Sequence, residues 1–294
     1  MRWLVTGARG QLGSDLLSQL AGAEVLGVGH SDLDITDAAA VEAAVGDWRP
    51  DVLVNAAAYT AVDAAEEHEE AAYAVNATAP GILAAALARH GGSLVHISTD
   101  YVFAGDASAP YQTDDPPAPR SAYGRTKLAG EHAVRERLPD SSYVVRTAWV
   151  YGASGPNFVK TMARLESERE TVSVVDDQRG STTWSADLAT GLIALARARD
   201  SVPAGTYHCT NSGETTWFGF TQAIFEELGA DPARVQPTTT DKFPRPAPRP
   251  AYSVLSDTAW RAAGLPPLRT WREALRTAFA TTGLRPEGCR EADR

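Results

Sequence analysis

Cysteine is scarce in this chain of 294 residues, which holds two, Cys209 and Cys289. They lie far apart, so they form neither the spacing of a metal site nor a disulfide framework, and we predict no metal. No run approaches 18 apolar residues, which predicts that no segment spans a bilayer. Because the first predicted strand begins at residue 2, no leader peptide precedes it, and we expect a cytoplasmic protein without disulfides.

Positive charge is also scarce, since 27 Lys and Arg residues stand against 37 Asp and Glu residues, for a net charge of −10. This balance disfavours nucleic acid or an anionic membrane surface as the main partner. A small anionic ligand remains compatible with it, because backbone N–H groups and a few basic side chains can bind one locally. The apolar content of 44% and charged content of 22% are those of an ordinary soluble globule.

The first motif present is a glycine-rich turn that lies between a predicted strand over residues 2–6 and a helical pattern. Its glycines are spaced three apart, and this strand–turn–helix order is typical of a dinucleotide-binding loop. Glycine lets the backbone approach a pyrophosphate, and the helix N-terminus offers N–H groups to it. A glycine-rich turn without a ligand is the alternative. We assign the cofactor loop to Gly7, Arg9, Gly10, Gln11, Leu12 and Gly13.

The end of the second predicted strand, residues 24–29, bears on the choice of cofactor. Folds that prefer NAD usually place an acid there, against the ribose 2′-hydroxyl. His30 and Ser31 stand at this point instead, which leaves room for a 2′-phosphate and favours NADPH, with NADH as the second choice. Asp34, beside Ile35, either hydrogen-bonds the adenine amine or caps the helix predicted over 38–45.

Small residues follow the third predicted strand, 51–55, and let a ligand lie close to the backbone. We therefore add Ala56, Ala57, Ala58 and Tyr59 to the cofactor site. A helical region is predicted over 66–90, with an interruption near Pro80.

The stretch with the predicted chemistry runs from a buried strand over 94–97 to a helix that begins near Tyr123. Tyr123 and Lys127 stand four residues apart and share a face of that helix. A neighbouring ammonium stabilises a phenolate, which predicts that the Tyr123 pKa falls toward neutrality and that the phenol exchanges a proton with a carbonyl or alcohol oxygen. Thr99, at the strand's carboxyl end, is placed to hold that oxygen. The alternative is an exposed Tyr–Lys pair that packs along its stems.

Strand–helix alternation predicts a Rossmann-like doubly wound parallel sheet for residues 1–150, an α/β fold. Beyond residue 150 the regular alternation of strands and helices ends. We predict a smaller, mixed α/β substrate-binding region over 151–285 and a disordered tail over 286–294. Within it, the proline-rich segment 237–250 is typical of extended coil that crosses the ligand mouth, with Arg249 available to a phosphate. Thr270 to Glu273 matches a capping box for the last helix.

Together these motifs resemble the extended short-chain dehydrogenase/reductases, and within them the reductases of dTDP-4-keto-6-deoxy sugars. The resemblance covers roughly residues 1–283 and depends on TGARGQLG at 6–13, NAAAYTAVDAAE at 55–66, STDYVFAGD at 98–106, YGRTKLAGE at 123–131, RTAWVYG at 146–152, NFVKTM at 157–162 and DDQRGSTT at 176–183.

The resemblance implies reduction of the C4 keto group of such a sugar by NADPH, with Thr99, Tyr123 and Lys127 as the catalytic triad. Tyr123 and Lys127 would also contact the cofactor. Around the nucleotide sugar the resemblance and its motifs place Val62, Thr99, Asp100, Tyr101, Trp149, Asn157, Gln178 and Arg249.

Two positions depart from the family pattern. Thr182 stands where relatives commonly have Pro, so the conformation of the loop near the sugar is left open. Asp15 stands where some members have a Glu that serves a metal-bridged dimer, so both a metal at this position and a homodimer are left open.

Three further classes of protein share much of this pattern. Sister reductases of antibiotic pathways have the same motifs. A nucleotide-sugar epimerase is disfavoured by the missing acid at the end of the second strand. A non-catalytic NADP-binding subunit is disfavoured by the complete triad.

Overall fold

The computed structural model describes residues 1–284, so the predicted tail and Cys289 lie outside the described residues. In chain order the strands are β1 (Arg2–Thr6), β2 (Glu24–Val28), β3 (Val52–Asn55), β4 (Ser93–Thr99), β5 (Ser142–Thr147), β6 (Val150–Tyr151), β7 (Val172–Val175), β8 (Arg179–Gly180), β9 (Thr183–Trp184), β10 (Gly205–His208), β11 (Thr215–Thr216) and β12 (Val235–Thr238). The helices are α1 (Gln11–Gln19), α2 (Ala38–Trp48), α3 (Glu69–Tyr73), α4 (Ala79–His90), α5 (Ala122–Arg137), α6 (Phe158–Glu168), α7 (Ser185–Arg197), α8 (Trp217–Leu228), α9 (Thr258–Ala262) and α10 (Trp271–Thr281).

Six parallel strands form the central sheet in the order β2–β1–β3–β4–β5–β10. The chain leaves β1 toward one edge for β2 and then crosses to the other side for β3. At such a reversal the loops after neighbouring strands diverge and leave a crevice at the carboxyl ends. The glycine loop follows β1 and residues 56–59 follow β3, so both border this crevice. The predicted doubly wound parallel sheet is confirmed.

Side-chain alternation along each strand divides the core between the two faces of the sheet. On one face, Val5 and its counterparts on β3 to β5 pack against α1 and α7. On the other face, Leu4 and the alternate residues pack against α2, α4 and α5. Burial on both faces explains why residues 52–54 of β3 are apolar without a break.

A third apolar cluster lies beyond residue 150, where α6, α8 and α10 pack together around Phe220 and Phe225. Part of the segment predicted as coil is a strand, because β12 pairs in parallel with β7. The capping box of Thr270 and Glu273 is confirmed at the start of α10. The division into regions at residue 150 stays a prediction.

The predicted interruption near Pro80 takes the form of a π-helical turn over Ala74–Thr78, which joins α3 to α4. Proline has no N–H to donate to the preceding turn, which favours such a bulge. The combined helix, Glu69–His90, is long and apolar enough by length and composition to cross a membrane, with a mean hydropathy of 1.4 over its most apolar stretch. The expectation that no segment spans a bilayer stays a prediction. The helix packs between α2 and α5, and 56% of its most apolar stretch is buried, as in a core helix.

Candidate active site

The cofactor loop is shaped by two glycines that admit no side chain. Gly7 has φ +67°, and a Cβ on it would lie 2.7 Å from the backbone of Ala56. A Cβ on Gly13 would lie 2.2 Å from the Gly7 carbonyl oxygen. Gly10 differs, because its Cβ would meet only that carbonyl oxygen, at 3.2 Å, and it precedes the first turn of α1. Gln11, Leu12 and Gly13 begin α1, where N–H groups lack helical acceptors, and this cradle fits a dinucleotide pyrophosphate.

Arg9 reaches from the glycine loop to the tip of β2. Its guanidinium donates to the Ser31 hydroxyl at 2.7 Å and to the Asp32 carboxylate at 2.9 Å. Asp32 also accepts from the backbone N–H of Gly29 at 2.8 Å, so an acidic side chain does lie at the end of β2. Sequence reasoning missed it because it stands three residues beyond Gly29. His30 is exposed. A guanidinium and a hydroxyl at this tip are suitable partners for a phosphate.

Asp34 does not cap α2, so that alternative was wrong. Its carboxylate accepts from the N–H and hydroxyl of Thr36, and Asp37 caps the helix instead by accepting from the N–H groups of Ala39 and Ala40. A side chain can bond the backbone two residues ahead, which leaves Asp34 in a local turn.

The remaining predicted cofactor residues border this region or follow β3. Ile35 is buried below the tip of β2. Ala56, Ala57 and Ala58 lie after β3. Tyr59 is anchored through its backbone N–H and carbonyl to the Asn76 amide at 2.8 and 3.1 Å.

Tyr123 and Lys127 lie on α5 opposite the carboxyl end of β4. Thr99 lies close enough to the Tyr123 hydroxyl to lower its pKa, and the Lys127 ammonium donates to the Ile97 carbonyl at 2.6 Å. Burial raises the pKa of Tyr123 to about 12, against the lowering by Thr99, so the predicted fall was wrong. Burial also lowers the pKa of Lys127 to about 8. Desolvation disfavours both the Tyr123 phenolate and the Lys127 ammonium.

Asp100 and Tyr101 continue from Thr99 into the site. Thr99 donates to the Asp100 carboxylate at 3.0 Å, and burial raises the pKa of Asp100 to about 6 although the Ser253 and Thr99 hydroxyls lower it. The Tyr101 ring meets the Tyr123 ring edge to face, with centroids 5.6 Å apart. The structure thus brings four predicted residues together: Thr99, Asp100, Tyr101 and Tyr123.

Arg249 joins this cluster from the proline-rich segment. It lines a cavity of about 40 Å³ together with Tyr101. Its guanidinium is not freely available as predicted, because it donates to the Asp63 carboxylate at 2.8 Å. Sequence reasoning missed Asp63, although it stands in the 55–66 motif beside Val62, which is partly buried in the same loop.

Trp149 and Asn157 border the site from the region beyond β5. Trp149 has φ +47°, which is rare for a large residue, and its ring stacks on Trp217 with centroids 3.6 Å apart. The Asn157 amide donates to the Gln11 side chain at 3.1 Å, so a predicted sugar residue contacts the cofactor loop.

Three further positions lie elsewhere. Gln178 donates to the Thr240 hydroxyl at 2.9 Å instead of contacting the Tyr123 cluster. Asp15 accepts a hydrogen bond from Ser185 at the start of α7, and burial raises the Asp15 pKa. The buried Thr182 stands in the loop between β8 and β9.

A dinucleotide cradle at the reversal of a parallel sheet, with a Tyr–Lys pair on the helix facing β4, defines the short-chain dehydrogenase/reductase class. The family model described as RmlD substrate binding domain matches residues 1–283, and the chain belongs to that family.

Individual relatives cover almost the whole chain. A dTDP-4-dehydrorhamnose reductase of Streptomyces griseus is 55% identical over 95% of this chain and 93% of its own length. A probable dTDP-4,6-dihydroxy-2-methyloxan-3-one 4-ketoreductase of Streptomyces antibioticus is 54% identical, over 95% of each chain. The structure of a Bacillus anthracis dTDP-4-dehydrorhamnose reductase in complex with NADP is 40% identical and superposes with a TM-score of 0.91, over 96% of this chain and 99% of that one.

Proposed function

We propose that the protein reduces the C4 keto group of dTDP-4-dehydrorhamnose to give dTDP-L-rhamnose, with NADPH as the reductant. The observation that carries this proposal is that α5 places Tyr123 beside Thr99 and Lys127 against the Ile97 carbonyl at the carboxyl end of β4, next to the dinucleotide cradle. The relatives named as dTDP-4-dehydrorhamnose reductases support the substrate, and the relative solved with NADP supports the cofactor.

Tyr123 is the proton donor in this proposal. With its pKa raised to about 12, the phenol carries its proton at neutral pH and can give it to the sugar oxygen as negative charge develops there. The Thr99 hydroxyl orients the same oxygen. Lys127 keeps a positive charge nearby, which stabilises the phenolate that the transfer leaves. A bound NADPH supplies the hydride.

The cofactor would be held by residues of the cradle and of the strand ends. Arg9 and Ser31 are the side chains that fit a 2′-phosphate, and His30 stands beside them. The full set that we propose for the cofactor comprises Gly7, Arg9, Gly10, Gln11, Leu12, Gly13, His30, Ser31, Asp34, Ile35, Ala56, Ala57, Ala58, Tyr59, Tyr123 and Lys127. NADH would bind through all of these contacts except those to the 2′-phosphate.

The nucleotide sugar would lie on the other side of Tyr123. Asp100 offers a hydrogen-bonding carboxyl, Trp149 an aromatic face, and Arg249 the guanidinium N–H groups that its pair with Asp63 leaves for the diphosphate. The proposed set comprises Val62, Thr99, Asp100, Tyr101, Trp149, Asn157, Gln178 and Arg249. We also propose that the protein acts in the cytoplasm, apart from nucleic acid and membranes.

A different dTDP-4-keto-6-deoxy sugar is the second candidate substrate, because the Streptomyces antibioticus ketoreductase is nearly as similar as the Streptomyces griseus reductase. The test is NADPH oxidation with dTDP-4-keto-6-deoxyglucose, with and without a 3,5-epimerase, followed by product analysis. We expect turnover to dTDP-L-rhamnose only when the epimerase is present. Equal turnover without the epimerase would assign the unepimerised sugar, and no oxidation in either mixture would contradict the proposal.

A further inference from the structure

One face of α5 contacts three successive residues of β4. Tyr123 lies beside the Thr99 side chain, and Lys127, one turn on, donates to the Ile97 carbonyl at 2.6 Å. Another turn on, the Glu131 carboxylate accepts from the Ser98 hydroxyl at 2.5 Å. The spacing of four residues keeps these three side chains on one stripe of the helix. The position of the helix along the strand therefore depends on polar contacts at three levels.

Glu131 is itself fixed from the neighbouring strand. The Arg146 guanidinium on β5 donates two parallel hydrogen bonds to the Glu131 carboxylate, at 2.9 and 2.7 Å. Both side chains are under 5% exposed. Arg146 is the register partner of Ser98, so one carboxylate binds two adjacent strands side by side. The guanidinium also lies 4.9 Å above the Phe103 ring.

The three contacts differ in how strictly they define position. An ammonium on a flexible stem follows its acceptor through small shifts of a helix, whereas a two-pronged guanidinium–carboxylate pair allows one geometry. A buried ion pair contributes little stability compared with apolar residues of the same volume. Geometry is therefore the property that this pair adds to α5.

We propose that Glu131, held by Arg146, is a positioning residue that fixes α5 on β4 so that the Tyr123 and Thr99 hydroxyls meet at one substrate oxygen. This inference depends on the proposed reductase function. It assigns to Glu131, Arg146 and Ser98 a role in kcat, not in the binding of cofactor or sugar.

The Glu131 charge gives the proposal a second readout. Tyr123 and Glu131 share the helix face of Lys127, and the buried His96 faces it from β4. Glu131 raises the Lys127 pKa, whereas burial, and to a smaller extent the Lys127 charge, lowers the His96 pKa well below its usual value, so His96 stays neutral. Without Glu131, Lys127 loses its proton at lower pH. The alkaline limb of kcat should then move to lower pH, which a loss of stability alone does not cause.

Two variants test the proposal, with a matched control on the same helix. The double variant Glu131→Met/Arg146→Met removes both charges without leaving either unpaired, and Ser98→Ala removes one contact. The control Glu69→Gln weakens the exposed pair that Glu69 forms with Arg125 of α5. We expect the double variant to melt near the wild-type temperature, to keep its NADPH affinity and to lose about 10²-fold in kcat. For Ser98→Ala we expect a loss of about tenfold, and for the control no change.

Each result decides the matter. A folded double variant with wild-type kcat and an unmoved alkaline limb would overturn the proposal. If the double variant does not fold, Ser98→Ala provides the test. Wild-type kcat in Ser98→Ala would then overturn the proposal. If the wild-type enzyme fails to reduce any 4-keto sugar, the proposed function falls first and takes this inference with it. If the wild type is active and all variants are unaffected, only the positioning role is wrong.

Discussion

Arg249 donates a hydrogen bond to Asp63 at 2.8 Å across 186 residues of sequence. The same carboxylate accepts from the backbone N–H of Ala247 at 3.3 Å. Together these contacts fasten the end of the proline-rich segment to the loop after β3, next to Tyr101. A single carboxylate thus determines where this segment lies over the proposed sugar site.

Replacing Asp63 by alanine should free the segment and weaken sugar binding. We expect KM for the nucleotide sugar to rise about tenfold, since charge-assisted contacts that order the segment are lost, while NADPH affinity stays the same. Steady-state kinetics with each substrate varied in turn measures this. Arg245→Ala is the matched control, because that guanidinium is 60% exposed and lies 4.0 Å from Asp63. Equal KM values in Asp63→Ala and the wild type would rule out the fastening role.

Two glycines of the cofactor loop should respond differently to valine. Gly10 has open space beyond a 3.2 Å contact, so Gly10→Val should fold and lose NADPH binding, because the side chain enters the place of the pyrophosphate. Gly13 has no such space, and Gly13→Val should fail to fold. Thermal melting and NADPH fluorescence titration separate the two outcomes. Undiminished NADPH affinity in folded Gly10→Val would place the cofactor elsewhere.

Arg9 should determine the preference for NADPH. A hydrogen bond to a charged group is worth about 1.5–3 kcal/mol, so Arg9→Ala should raise KM for NADPH about tenfold or more and leave KM for NADH nearly unchanged. Arg89→Ala, in an exposed ion pair with Glu42, is the control. A wild-type preference for NADH of tenfold or more in kcat/KM would show that the interpretation of the β2 tip is wrong.

The ionised Asp100 carboxylate should lower the free energy of unfolding at pH values above its pKa. Its pKa is raised from 3.8 to about 6 in the folded protein, so the folded state binds more protons between these values and stability falls as pH rises through them. Asp100→Asn removes this cost. We expect the variant to melt above the wild type at about pH 7.5 and close to it at about pH 4, measured by calorimetry. A constant difference at both pH values would contradict the assignment.

The fold was predictable because its signals are local. Mostly apolar runs over 52–55 and 94–97, glycines after β1, and strand–helix alternation need no knowledge of distant residues. The capping box of Thr270 and Glu273 is local as well.

The errors came from contacts that sequence spacing does not show. Burial raises the Tyr123 pKa more than Thr99 lowers it, and the Lys127 ammonium, which was expected to lower it, bonds the Ile97 carbonyl. Arg249 is paired because the fold brings Asp63 to it, and Asp32 reaches the strand end because the chain turns back after Gly29. Each of these outcomes depends on three-dimensional packing.

Removing the Tyr123 hydroxyl tests the proposed proton donor. Tyr123→Phe keeps the ring against Tyr101, so folding and NADPH binding should survive, while kcat should fall about 10²–10⁴-fold. Thr99→Val should reduce kcat less, because Thr99 orients the oxygen without giving the proton. Tyr207→Phe, which removes a hydroxyl bonded to the Pro203 carbonyl, is the matched control. More than about a tenth of wild-type kcat in folded Tyr123→Phe would mean that the proton comes from another group.

The most direct test of the reductase assignment follows the hydride itself. NADPH deuterated at the transferable C4 position is incubated with the wild-type enzyme and dTDP-4-dehydrorhamnose, and the sugar product is analysed by mass spectrometry and NMR. We predict one deuterium at C4 of the sugar in dTDP-L-rhamnose and stoichiometric conversion to NADP⁺. Product without the label, or label that returns to the nicotinamide while the sugar epimerises, would contradict the account.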